Sequence, residues 1–422
     1  MTSLENFRAM MNRAGLDGHG NTAATLAAAV SSSSSSGVHA ASATPTASAT
    51  NNNSTPANSI AANAPAATPA VSSASAPQWL PLDITVTPPV ADLTAARLGS
   101  RDPELAFDLD FRYCGPRLAD DTARWRDAFA ARHIALPPGA EIHPIGEVLI
   151  APAQTPPGGA YHLREKFYPL AGVTSLDELR AFPWPDLDAT LDAGALAEEV
   201  AAIHAAGKVA VCHMEMTVFE AAWYRRGMDV LFADLIEGNE IGAWLLDWFT
   251  DYSARRAKLV ALAGVDVVGL GDDIGTQRGM MMSLPFWREH LKPRLKRVID
   301  TLRAHQRAPL WVRYHSDGDI RPAIDDLVEI GVDILNPMQP ECMPVTETID
   351  AHRHHLAFWG MIGTQTTMPF GTPADVRAAL AECARLARAG AGVIVAPTHV
   401  LEPDVPWENI AALTAAIRDE RL

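Results

Sequence analysis

Short apolar runs rich in β-branched residues recur through the second half of this chain, at residues 208–212, 265–270, 310–314, 332–335, 356–361 and 392–396. Between most of them lie amphipathic stretches long enough for helices, with 321–330 and 373–389 the clearest. The second of these opens on Thr372, Pro373, Ala374 and Asp375, which supply an N-cap, a proline at the first helical position and an acidic first turn. Strands without polar alternation are buried on both faces, and strands separated by helices run parallel. Six such units predict an α/β fold, a (β/α)8 TIM barrel rather than an open doubly wound sheet, provided the first half supplies the missing strands. Residues 80–86 are one candidate. No glycine-rich dinucleotide fingerprint or phosphate loop follows any run, which weighs against a nucleotide-binding open sheet.

The chain has 422 residues, 48% hydrophobic and 20% charged, enough for a large core. Its formal net charge is -16, with no run of Lys and Arg, so nucleic acid and anionic membrane surfaces are not expected partners. No apolar run approaches the ~20 residues of a membrane-spanning helix. The short apolar run at 23–30 follows Glu5 and Asp17 and lacks leucine-rich hydrophobicity, so it is not read as a secretion signal. Cys114, Cys212, Cys342 and Cys383 show no paired spacing. Neither a CxxC zinc motif nor a disulfide framework is expected, and a reducing, cytoplasmic setting is. Residues 19–77, with serines at 31–36 and asparagines at 51–53, hold too few large apolar groups to offset their ordering entropy. They predict a disordered low-complexity insertion.

A barrel of this kind places its chemistry at the carboxyl ends of its strands. There the sequence is polar after nearly every run: His213 and Glu215; Asp272, Asp273 and Gln277; His315 and Asp317; Asn336 and Gln339; Gln365; and His399. In extended chain His315 and Asp317 project to the same side. With His399 they could hold zinc or another divalent ion and leave a position open. Ordinary loop chemistry meets the same spacing, with Asp317 capping a helix or turning at Gly318 and His315 bonded to backbone. Asp272 and Asp273 suit general acid–base work or recognition of a cationic group. Alternatively one turns at the flanking glycines and the other is solvated. The catalytic candidates are thus Asp272, Asp273 and His315. His213, Gln277, Asn336, Gln339 and Gln365 are candidates for orienting a small-molecule substrate. Glu215 is read as the first-turn acid of a helix over 216–232. Met280, Met281 and Met282 are read as core packing, and Trp184 as a rigid plug in a turn.

From Val173 onward the chain resembles the uroporphyrinogen decarboxylase (URO-D) superfamily, in residues 182–186, 271–277, 315–322, 332–340, 358–373 and 396–410. The resemblance implies a URO-D-like TIM barrel. The opening MTSLENF also resembles the start of these proteins, with the continuation resuming at Gln78. On that reading residues 1–18 form an N-terminal helix of the barrel domain, 19–77 are an insertion, and 78–422 are the barrel. True uroporphyrinogen decarboxylases bind a carboxylate-rich tetrapyrrole without a cofactor and use an Arg-rich N-terminal motif. The matching stretch 79–90 has no Arg, which with the acidic charge disfavours a porphyrin. The chain is closer to the corrinoid-dependent methyltransferase branch, which binds zinc through a His-x-Cys pair and a later Cys. His315 matches that His, Asp317 stands where the first Cys would be, and His399 stands near the second. The resemblance thus implies a divalent metal, zinc first, on His315, Asp317 and His399. It also implies a corrinoid as co-substrate, a corrinoid protein as partner, and methyl transfer involving a small molecule. The harder ligands put a thiol acceptor in doubt. Porphyrin decarboxylation and a non-catalytic binding role are the alternatives. The polar strand ends weigh against the second, because a retired site has no reason to keep so many desolvated polar groups.

Overall fold

The computed structural model describes residues 1–20, 76–118, 120–150, 161, 165–186 and 193–420. The disorder expected of residues 19–77 concerns a tract that lies, except at its ends, outside the described residues. Seven parallel strands form one sheet in chain order: β1 (Phe111–Cys114), β2 (Val209–His213), β3 (Val267–Gly271), β4 (Trp311–His315), β5 (Ile334–Met338), β6 (Ala357–Ile362) and β7 (Gly392–Pro397). The eighth position is taken by residues 81–87. Leu82 bridges Val395 and Val86 bridges Leu401, both in parallel. On the other side Leu82 O accepts from Asp110 N at 3.4 Å, and Asp110 Oδ2 accepts from Leu82 N at 2.9 Å. That segment closes the barrel between β7 and β1.

Each of the six apolar runs in the second half is a strand within a few residues of its expected place. Strand β1 is short and carries Arg112, so it does not read as an apolar run. The helix Pro373–Arg388 starts as its sequence predicts. Thr372 accepts from Asp375 N, and the Asp375 carboxylate accepts from Thr372 N. The helix expected over 216–232 is instead two, Phe219–Arg226 and Met228–Glu237, parted at Gly227 with φ 87°. Residues 217 and 218 are held by the end of β3: Thr217 N donates to Gly271 O at 2.9 Å and Val218 N to Asp272 Oδ1 at 3.0 Å. Met216, at φ 57°, and Val218, at φ -139°, are not helical, so the helix starts at Phe219 and Glu215 lies outside it. The expected helix 321–330 is a 3-10 turn, Arg321–Ala323, followed by Ile324–Glu329. Trp184 packs among Trp125, Trp244 and Trp248, while Met282 is buried in the core and Met280 and Met281 pack against it.

The amino-terminal mouth of the barrel is filled from below. The helix Ser3–Arg13 carries Phe7, Met10 and Met11 into a cluster with Phe111, Val209, Trp311, Ile334 and Trp359. Phe7 meets Phe111 and Trp311 edge to face, with ring centres 5.8 and 5.1 Å apart, and Phe111 lies against Trp359 at 4.5 Å. The lower part of the barrel axis is thus filled by apolar side chains, and the polar cavity at the strand ends lies above them. Phe7→Ala should lower the unfolding free energy by about 3–5 kcal/mol in a denaturant titration. A loss under about 1 kcal/mol would show that the helix does not plug the barrel.

Candidate active site

Strand β3 reads Val267, Val268, Gly269, Leu270 and Gly271, and its two glycines face β4 in register with Arg313 and His315. The match is steric. A Cβ on Gly269 would stand 2.7 Å from Arg313 Nη2, and one on Gly271 would stand 2.6 Å from His315 O and 2.8 Å from His315 Cβ. Two large cationic side chains can therefore enter the barrel from β4.

His315 is fixed by the next strand. Register pairs it with Asn336 on β5, whose Oδ1 lies 2.7 Å from His315 Nδ1. Asn336 Nδ2 donates to Trp359 O at 3.3 Å, which assigns the amide orientation and makes Nδ1 the protonated ring nitrogen. Nε2 then faces Asp273, whose Oδ1 is 3.9 Å away. Asp273 Oδ1 also accepts from Asp317 N at 2.8 Å. The loops after β3 and β4 are zipped together by Asp319 N to Thr276 O at 2.9 Å and Ile274 N to Ser316 Oγ at 3.0 Å. One ligand atom from each of Asp273, His315 and Asp317 lies within 4.8 Å of the others, an arrangement open to a metal ion. Burial would lower the His315 imidazole, but Glu215, Asp317 and Asp273 around it push it up to about 9. The same negative field favours a divalent cation, whose binding would release that proton.

A cavity of about 210 Å³ lies beside this cluster, lined by Asp83, Tyr113, His213, Glu215, Arg313, His315, Trp359 and His399 among others. Arg313 is buried over the face of Trp359, 4.7 Å from the ring centre, and its Nη2 donates to Glu215 Oε1. His213 Nδ1 lies 3.0 Å from Glu215 Oε1, and its ring stacks on Tyr113 at 4.5 Å. Burial opposes the charge on Glu215, yet His213, Arg313 and His315 hold its carboxyl well below the usual range. Asp83 accepts from the Tyr113 hydroxyl at 2.6 Å. Burial raises its carboxyl, against Tyr113, Arg313, His213 and Trp359.

The two adjacent acids are divided. Asp272 turns inward and accepts from Val218 N and Glu220 N, capping the helix Phe219–Arg226, and burial pushes its carboxyl up to about 7. Asp273 turns to His315. His399 lies across from His315, ring centres 6.4 Å apart, and is not one of the three residues whose ligand atoms cluster. Gln339 is buried and accepts from Gly318 N at 3.0 Å, bracing the loop that carries Asp317. Gln277 and Gln365 bond to each other at 3.2 Å on the exposed rim, with Cys342 donating to Gln277 Oε1 at 3.0 Å. His213 and Asn336 line the cavity. The sequence reading did not single out Asp83, Tyr113, Arg313 or Trp359, and it placed Glu215 in a helix. The signal for Arg313 and Asp83 was a charged residue inside an otherwise apolar run.

A closed parallel barrel whose strand ends converge on one polar cavity defines the class. The family model of uroporphyrinogen decarboxylase (URO-D) matches residues 169–420, more than half of the chain. The chain belongs to the URO-D family. Among solved structures it is similar to a methyltransferase from Methanosarcina mazei, with TM-score 0.52 and 17% identity over 81% of this chain and 94% of that one. It is also similar to a GH10 endoxylanase from a sugarcane soil metagenome, at TM-score 0.33 and 10% identity over 54% and 77% of the two chains. The first likeness bears on the fold alone, and the second is too slight to bear on anything. No curated protein matches the sequence. No helix among the described residues is long and apolar enough to cross a membrane.

Gly271→Ala should cost about 1–3 kcal/mol in chemical denaturation, since a backbone carbonyl blocks the added methyl. Gly172→Ala, with open space at its Cβ, is the control and should change stability by less than about 0.5 kcal/mol. Equal effects would show that the glycine face of β3 is not what admits the site.

Proposed function

We propose that the chain is an enzyme of metal-dependent methyl transfer, acting on a small molecule at the carboxyl end of its barrel. The carrying observation is the convergence of Asp273, His315 and Asp317, whose ligand atoms lie within 4.8 Å of one another. The donors fit a divalent first-row ion, zinc first: two carboxylates and an imidazole whose far nitrogen is already bonded, as metal-bound histidines require. His399 is a further ligand candidate. The ion, when bound, supplies a Lewis acid for the substrate heteroatom.

The chain's own groups do the rest. Asn336 keeps His315 Nε2 turned towards Asp273, where it would be available to hold the ion. Gln339 holds the loop that carries Asp317. The Glu215–Arg313 pair keeps the cavity wall polar and rigid, and the apolar side chains below close it to water from that side. The corrinoid is the methyl-carrying co-substrate that the resemblance implies, delivered by a carrier protein. Uroporphyrinogen decarboxylation is supported by the family match. Against it stand Asp83 and Glu215 in the cavity, whose single lining arginine among the described residues, Arg313, is already paired with Glu215.

Metal analysis of protein purified without added metal tests the proposal. Wild type should carry about one equivalent per chain, and His315→Ala and Asp317→Ala should carry little. Wild-type content under about half an equivalent, unchanged in both variants, would remove the metal. Asn336→Leu should weaken metal binding about 10- to 100-fold in a chelator competition. An affinity equal to wild type would show that His315 is not oriented by Asn336. Turnover of uroporphyrinogen by the purified protein would instead establish the decarboxylase.

A further inference from the structure

The barrel closes at a seam. Residues 81–87 bridge β7 through their backbone, but on the other side a carboxylate stands in for part of the ladder. Asp110 Oδ2 accepts from Leu82 N at 2.9 Å, and Asp110 N donates to Leu82 O at 3.4 Å. Against this seam lies a cavity of about 320 Å³, larger than the one at the strand ends. Its floor is apolar, formed by the buried Leu80, Leu82, Phe107 and Ile417. Successive residues of an extended segment face opposite ways. Leu82 therefore lines this cavity while Asp83 lines the strand-end one, and no lining residue is common to the two.

Trp79 supplies a half-buried wall. Its Nε1 donates to Asp110 Oδ1 at 3.2 Å, its backbone N–H to Asn6 Oδ1 at 3.4 Å, and its carbonyl accepts from Asn6 Nδ2 at 2.9 Å. Asn6 is itself buried in the helix Ser3–Arg13. An indole held in this way gives up little freedom when a flat ligand packs on it.

The charged groups of the wall are spent on one another, with one exception. Asp110 is taken by Leu82 and Trp79. Lys208 Nζ donates to Asp108 Oδ1 at 2.7 Å and to Leu109 O at 2.8 Å, which neutralises the acid at the lip. Arg418, in the last turn of the helix Trp407–Asp419, is exposed and lines the cavity. Its Nη2 donates to Phe107 O at 3.2 Å, and it meets no carboxylate among the described residues. A guanidinium carries five N–H donors in a fork that matches a carboxylate.

We propose that this cavity is a second ligand site, remote from the strand ends, for a small carboxylate with a flat apolar body. The carboxylate pairs with Arg418 and the body packs on Trp79 over the apolar floor. A ligand there touches the closing segment, the approach to β1 and the C-terminal helix together, and so braces the seam. The inference rests neither on the metal nor on methyl transfer.

The test uses the full chain stripped by chelator, so that no strand-end metal can hold a carboxylate, at about pH 7.5, where carboxylates are ionised. Phenylacetate, phenylacetamide and benzylamine are compared by isothermal titration calorimetry. Phenylacetate should bind saturably at one site per chain and raise the thermal unfolding midpoint. The neutral amide and the amine should bind at least about fivefold more weakly. Arg418→Gln should weaken phenylacetate by about fivefold or more, and Arg418→Lys, which keeps the charge, should weaken it less. Arg418 is exposed, so both variants should unfold at the wild-type midpoint without ligand. His315→Ala should leave phenylacetate binding unchanged.

No saturable binding of phenylacetate, or equal binding by wild type and Arg418→Gln, would overturn the proposal. Phenylacetamide binding as tightly would remove the carboxylate, and benzylamine binding as tightly would give the cavity to its acids, Asp108 and Asp110. A loss of binding in His315→Ala would place the ligand at the strand ends instead. None of these results bears on the metal content, which tests the proposed function separately.

Discussion

The site depends on the space left by two glycines. Gly269 and Gly271 strip one face of β3 of side chains, and Arg313 and His315 on β4 fill the room. A buried guanidinium is costly unless paired. Glu215 pairs it from the loop after β2, and Trp359 covers its face from β6. The loop after β2, strand β4 and strand β6 are therefore tied together by the Arg313 guanidinium. The aromatic stack below, from Phe7 through Phe111 to Trp359, gives this polar layer a dry, rigid floor.

The acids are distributed by local backbone demand. Asp272 is consumed by the N-terminus of the helix Phe219–Arg226, which leaves Asp273 to face His315. Asp317 is brought alongside by its own N–H, which donates to Asp273. A pair of adjacent carboxylates thus yields one structural cap and one group for the site. The negative field around His315, set by Glu215, Asp317 and Asp273, draws a cation, whether proton or metal.

Much of the fold was legible because strands buried on both faces must be apolar along their length. Runs such as 392–396 could hardly be anything else. Strand β1 was not, since its four residues include Arg112, and neither was the non-helical turn at 216–218, which bonds to Gly271 and Asp272 at a strand end distant in sequence. The site was legible where it stands on strand ends, as with His213, His315, Asp273 and Asn336. Reading only the ends missed residues within strands. Arg313 sits in the middle of a run and Asp83 in the closing segment, and each is a charge where burial should forbid one. Sequence alone could not tell that Gln339 would be spent on Gly318, or that Gln277 and Gln365 would meet on the rim, because those outcomes depend on how separate loops converge.

The central claim is that the strand-end cluster holds a metal through oxygen and nitrogen alone. X-ray absorption spectroscopy at the metal edge of the purified protein tests it most directly. The account predicts a first shell of nitrogen and oxygen at about 2.0–2.2 Å, with imidazole scattering from His315. A sulfur shell at about 2.3 Å, which in this neighbourhood would have to come from Cys342 or a bound thiol, would contradict it.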